Sequence, residues 1–209
     1  MTSIASSHPI RFRPRPSLFC WSRFFFLAGI LALGYVAFTL IDAELYQRRA
    51  AKQFEETLNA PKMNVPNVPA SAKMPGMVKS GTPLGRIEIS SLGVGAMILE
   101  GDDDKTLRHG VGHIPGTAVP GQPGNVALAG HRDTFFRALR NIHKDDEITL
   151  ETLNGPQRYI VDRIQIVLPG DLATLNQSKE SILTLVTCYP FSYVGSAPQR
   201  FIVRAHKVA

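Results

Sequence analysis

The chain has 209 residues, 44% hydrophobic and 19% charged, a balance that excludes wholesale disorder and fits one ordinary domain with appendages. The net charge of +6 resides in the N-terminal part: residues 1–80 hold ten basic and four acidic side chains, and residues 81–209 hold thirteen of each. A neutral main domain argues against a nucleic-acid-binding face, which needs clustered Lys and Arg. Two cysteines, Cys20 and Cys188, with no CxxC spacing make neither a disulfide scaffold nor a zinc site of that kind.

Residues 1–23 form a basic segment with Arg11, Arg13, Arg15 and Arg23 and no acidic residue. Phe24 to Ile41 (FFFLAGILALGYVAFTLI) is an uncharged run of 18 residues. As a helix it reaches about 27 Å, close to the hydrocarbon thickness of a bilayer. It exceeds a usual signal-peptide core and no A-x-A site closes it, so the expectation is an uncleaved transmembrane helix. A buried core helix is disfavoured because the run is apolar on every face. Four basic residues precede it. Asp42 and Glu44 follow it directly, then Arg48, Arg49 and Lys52. That bias favours a single-pass cell-membrane protein with a cytoplasmic N-terminus and an extracytoplasmic C-terminal domain.

Residues 42–59 contain no Gly or Pro and read as a helical stalk. Pro61, Pro66, Pro69, Pro75 and Pro83 then mark a semi-extended linker. Residues 42–83 are thus expected to hold a domain, 84–209, away from the membrane. In that domain strands are expected near 84–90, 94–99, 125–131, 146–153, 157–167, 181–188 and 199–207. Asp102 to Asp104 read as a solvated turn and helix start, Thr134 to Ile142 as one or two helical turns, and Asn154-Gly155 as a hairpin signal. Seven or eight short strands in this length predict a mainly β fold, a closed or nearly closed barrel.

Three of these strands end or begin with a reactive side chain: NVALAGH at 125–131, SILTLVTC at 181–188 and RFIVRAH at 200–206. Strand alternation groups Ala127, Ala129 and His131; Thr184, Val186 and Cys188; and Arg200, Ile202 and Arg204. If Val126, Leu128, Phe201, Val203 and Ala205 fill the barrel, Cys188, His131 and Arg200 share its outer surface, provided no bulge intervenes. A thiolate can attack a carbonyl, an imidazole can shuttle the proton, and a guanidinium can hold substrate carbonyls or a developing oxyanion. The residues alone are equally compatible with an inert core thiol and a structural histidine.

At these positions the sequence resembles the sortase family: TLVTC at 184–188, GHR at 130–132 and Arg200 in APQRFIVRA. ILEGDD at 98–103, GVGHIPGTAVPGQPGNVALAGHRDTFF at 110–136 and CYPFSYVGSAPQRFIV at 188–203 are most similar to class D. The resemblance covers about residues 84–208. It implies an eight-stranded β-barrel, with Cys188 as nucleophile, His131 as general acid/base and Arg200 as the substrate- and oxyanion-binding arginine. Thr187 and His113 are expected to line the site, although a purely structural role for His113 fits as well. The resemblance further implies cleavage of an LPxTG-like or LPNTA-like C-terminal sorting signal after Thr. A thioacyl intermediate then passes to an amine acceptor on peptidoglycan or a pilin-type lysine. No cofactor and no metal are expected.

Arg204, four residues beyond Arg200 on the same face, is the rival for its role, and Asp133 is a candidate orienter of His131. An L,D-transpeptidase-like enzyme would want a His close before the Cys, whereas Thr187 stands there. A hydrolase with water as second nucleophile, or a non-catalytic anchored binding barrel, is also compatible with these residues.

Overall fold

The computed structural model describes residues 18–59 and 78–208. The basic segment at 1–17 and the Pro-rich stretch at 60–77 lie outside the described residues. The chain forms two compact units, Met1–Ile41 and Asp42–Ala209. Helix α1, Leu18–Asn59, runs through the apolar segment and the stalk. In the first unit Phe24, Phe25, Phe26, Leu31, Leu33 and Phe38 are all exposed, an extensive apolar surface.

Eight strands build the second unit: β1 Pro83–Ile89, β2 Val94–Glu100, β3 Val111–His113, β4 Asn125–Ala129, β5 Glu147–Thr152, β6 Gly155–Val167, β7 Ile182–Tyr189 and β8 Gln199–Val208. They close into a barrel in the order β1-β2-β3-β4-β7-β8-β6-β5. The strand not anticipated is β3. It has three residues among glycines, too few for alternation to register, and it pairs parallel with β2 after a crossover through helix α2, Asp104–His109. Asp103 caps that helix, accepting from the backbone N–H groups of Lys105 and Thr106. Thr134 to Ile142 contains a 3-10 helix, Arg137–Asn141. In the β5–β6 hairpin the turn falls on Leu153 and Asn154, and Gly155 follows at φ 98°.

Alternation accounts for the core. Val126 and Leu128 of β4, Leu183 and Leu185 of β7, and Phe201, Val203 and Ala205 of β8 point inward with Ile87, Ile98, Ile148, Leu150 and Tyr159. Phe136 and Leu139 are fully buried in the same cluster.

The stalk differs from the spacer the sequence suggests, because the unit it belongs to begins at Asp42. Ala50 and Phe54 pack on the outward faces of Met97 and Leu99 in β2, with Tyr46 and Ala51 beside them. β3 begins opposite Ile98, so the Met97 N–H lies beyond the ladder, and the Gln47 side chain accepts from it at 2.8 Å. The same amide donates to the carbonyl of His109, one of the orphan carbonyls at the end of α2. Tyr46 stacks on the His109 ring, and Asp42 lies 3.2 Å from its Nε2.

Candidate active site

β4 and β7 run parallel with Ala129 opposite Val186, and the Gly130 N–H donates to the Val186 carbonyl at 3.1 Å. Two residues further along each chain stand His131 and Cys188. β7 and β8 pair antiparallel without a register shift over Ile182–Tyr189, and Cys188 lies directly opposite Arg200. Cys188 and Arg200 therefore face each other across neighbouring strands about 4.8 Å apart, and His131 stands two residues beyond the last β4–β7 pair. The register shift in β6, between Val161 and Arg163, leaves β7 and its pairing untouched.

Gly130 gives the His131 turn its path, since a Cβ there would lie 2.6 Å from the Phe136 ring. The turn is pinned from inside the barrel by Thr187, whose hydroxyl donates to the Gly130 carbonyl at 2.7 Å. The expectation that Thr187 lines the site is corrected here. It is 3% exposed and lies on the opposite face of β7 from Cys188, as the alternation itself requires.

His113 also departs from the lining role. It is 2% exposed, with Nδ1 2.8 Å from Glu100 Oε2 and Nε2 3.0 Å from the Ala118 carbonyl. A carbonyl can only accept, so Nε2 carries a proton, and neither nitrogen is left for a substrate. His113 instead has a structural role, fastening the end of β2 to the loop before β4.

Among the described residues neither the Cys188 thiol nor the His131 ring makes a hydrogen bond or ion pair, and the Asp133 carboxylate makes none to His131. Arg200 donates from Nη1 to the carbonyls of Ala197 and Gln199, at 3.2 and 3.0 Å, and among the described residues its Nε and Nη2 have no partner. Its rival Arg204 pairs with Thr184 instead of Cys188 and lies 3.9 Å from Asp162.

A groove of about 460 Å³ occupies the outer face of β4, β7, β8 and β6, lined by Asn125, Ile182, Thr184, Ile202 and Arg204 among others. Thr174, Asn176 and Ser178, from the loop after β6, form its other wall. Asn125, in sequence terms only a strand start, rivets that loop in place. Its Nδ2 donates to the carbonyls of Thr174 and Asn176, and its Oδ1 accepts from Thr184 at 2.8 Å. An outward-facing Asn at the head of an apolar strand is the signal that marks it. Arg132 is a second residue that the pattern alone does not single out. Its Nη2 donates to the carbonyls of Tyr193 and Gly195, at 2.6 and 2.9 Å, tying the β7–β8 loop to the His131 turn.

A thiol, an imidazole and a guanidinium beside a groove can perform acyl transfer through a thioester. Residues 87–208 match the family model of the sortase domain. The chain belongs to the sortase family. It is similar to Sortase D of Bacillus subtilis (strain 168), with 34% identity over 191 residues, 88% of this chain and 96% of the relative. Among solved structures it is similar to the Clostridium perfringens Sortase D5 transpeptidase, with a TM-score of 0.66, 29% identity, and 78% of this chain and 99% of the other covered. It is also similar to Sortase A from Corynebacterium diphtheriae, with a TM-score of 0.58, 25% identity, and 80% and 84% covered. Sortases are cysteine transpeptidases that act on substrates bearing a sorting motif, and this one has the family's closed eight-stranded barrel.

Proposed function

We propose that this sortase is membrane-anchored and cleaves an LPxTG-like or LPNTA-like sorting signal after Thr, passing the acyl group to an amine in the cell envelope. The observation that carries this reading is the register that sets Cys188 opposite Arg200 and leads β4 toward His131, on the strands that also line the groove at Thr184 and Ile202. Thr184, Val186 and Cys188 face outward along β7, and from Thr184 to Cys188 the strand rises about 13 Å. Four residues of an extended peptide need the same length, so a four-residue signal laid along β7 brings its last carbonyl to the thiol.

In this reading His131 takes the Cys188 thiol proton and the sulfur attacks the Thr carbonyl, forming a C–S bond. The free nitrogens of Arg200 hold the oxyanion, and His131 protonates the leaving amine as the C–N bond breaks. The thioester retains the group-transfer potential of the cleaved bond, so a new amide forms without ATP. The exposed apolar surface of α1 supports the anchor, and the basic flank supports a cytoplasmic N-terminus.

The test incubates the full-length protein in detergent with an LPNTA peptide, with and without a primary amine, followed by mass spectrometry. A Thr-terminated adduct on Cys188, absent from Cys188→Ala, and an amine-dependent product are expected. No adduct across a panel of LPxT peptides, with the thiol inert to alkylation, would sink the reading.

A further inference from the structure

A second depression, of about 550 Å³, adjoins the same strand ends and shares no residue with the groove. It is lined by Arg132, Asp133, Arg137 and Arg140 and by the segment from Tyr189 to Ser192. Arg132 follows His131 in the chain and Tyr189 follows Cys188, so the depression is built from the two segments that carry them. Three guanidiniums against one carboxylate is a strong local excess in a domain whose charges otherwise balance.

The arginines are free to act. Arg137 and Arg140 are three apart in a 3-10 helix, which places them on one side of it. Among the described residues neither side chain makes a hydrogen bond or ion pair. Arg132 uses Nη2 for the loop carbonyls, but its Nη1 is buried without a partner. A buried N–H left unpaired costs stability that an incoming acceptor atom would restore. The guanidinium fork matches a carboxylate in two parallel hydrogen bonds, and Tyr189 and Phe191 supply an apolar wall.

We propose that this depression binds the carboxylate of the second substrate, so that the preferred acceptor is an amine carrying one or more carboxylates, such as an acidic peptide. The inference rests on the proposed transfer reaction. In the transfer step the amine nitrogen attacks the thioacyl carbonyl and a C–N bond forms. The C–S bond breaks with its electron pair returning to sulfur, and the amine proton passes to His131, which gave up its own in the first step.

The experiment offers full-length protein and an LPNTA peptide an equimolar mixture of glycyl-glutamate and neutral glycyl-glutamine amide, and reads the product ratio by mass spectrometry. Because both products arise from one thioester, anything that only slows its formation cancels from the ratio. Wild type is expected to favour the acidic amine by about tenfold, Arg137→Ala/Arg140→Ala to bring the ratio near unity, and the double Lys variant to keep an intermediate preference. Titration calorimetry with glycyl-glutamate alone, on wild type and the Ala variant, reads the same site without the reaction, so failure of the thioester chemistry still leaves the depression testable. An equal ratio in wild type, or binding unchanged in the variant, overturns the proposal. So does binding of a glycerol-phosphate polymer, lost in the Ala variant, without preference for the acidic amine, which would assign the depression to an anionic wall polymer.

Discussion

Phe54→Ala should destabilise the barrel although residue 54 lies outside every strand. Phe54 is 6% exposed and packs against Ala50, Met97 and Leu99. Truncating a buried Phe costs about 3–5 kcal/mol, the transfer free energy of the ring plus the cavity left behind. The groove beside it, about 420 Å³ and lined by Phe54, Leu58 and Met97 among others, lets water relax part of that cavity, which favours the low end of the range. About 3 kcal/mol in a domain of this size lowers the melting temperature by about 10 °C. Gln47→Ala, which strands the Met97 N–H and the His109 carbonyl, should cost about 2 kcal/mol. Thermal unfolding followed by circular dichroism, on a chain starting at Asp42, measures both. A shift under about 2 °C for Phe54→Ala, or an unchanged melting temperature in a chain starting at Lys79, would refute the docking of the stalk as a part of the folded domain.

Three other outcomes are expected. Asn125→Ala removes three hydrogen bonds at a residue 4% exposed and frees the wall of the groove; stability should fall by about 2 kcal/mol and the KM for a sorting peptide should rise by more than kcat falls, measured with a quenched fluorescent substrate. Gly130→Ala drives a methyl group into the Phe136 ring and displaces the His131 turn, so acylation of Cys188 should slow by about 100-fold while Phe136→Leu/Gly130→Ala recovers part of the rate. Hydrogen bonds from Ser80 and then Thr106 hold the Asp103 carboxyl well below the usual carboxylate range, so its stabilisation is complete above the unfolded pKa near about 4 and fades as pH falls below it. The melting-temperature gap between wild type and Asp103→Asn should accordingly narrow from pH 6 to pH 3.

The barrel is legible in the sequence because its core follows from the period of two. Val126, Leu128, Leu183, Leu185, Phe201 and Val203 are apolar on the face that lies inside, and the bulge that would have spoiled the argument falls in β6. Thr187 is legible too, since the same alternation places it opposite Cys188. The resemblance of its neighbours draws it to the wrong face. β3 is hidden because three residues, one of them Gly112, carry no pattern. The docking of α1 is hidden because Met97 and Leu99 read as ordinary strand residues, and nothing local shows that their outward faces need a helix. His113 cannot be assigned from sequence because its partners, Glu100 and Ala118, come from different loops and strands.

The pairing order of the barrel also ties the proposed site to closure of the sheet. His131 stands two residues beyond β4, and the site proposed for it and Cys188 is complete only where β8 brings Arg200 alongside β7. Without the ten residues of β8, β7 would present an open sheet edge beside Cys188, and the guanidinium proposed to hold the oxyanion would be missing. Closure of the barrel and completion of the proposed site are thus one event.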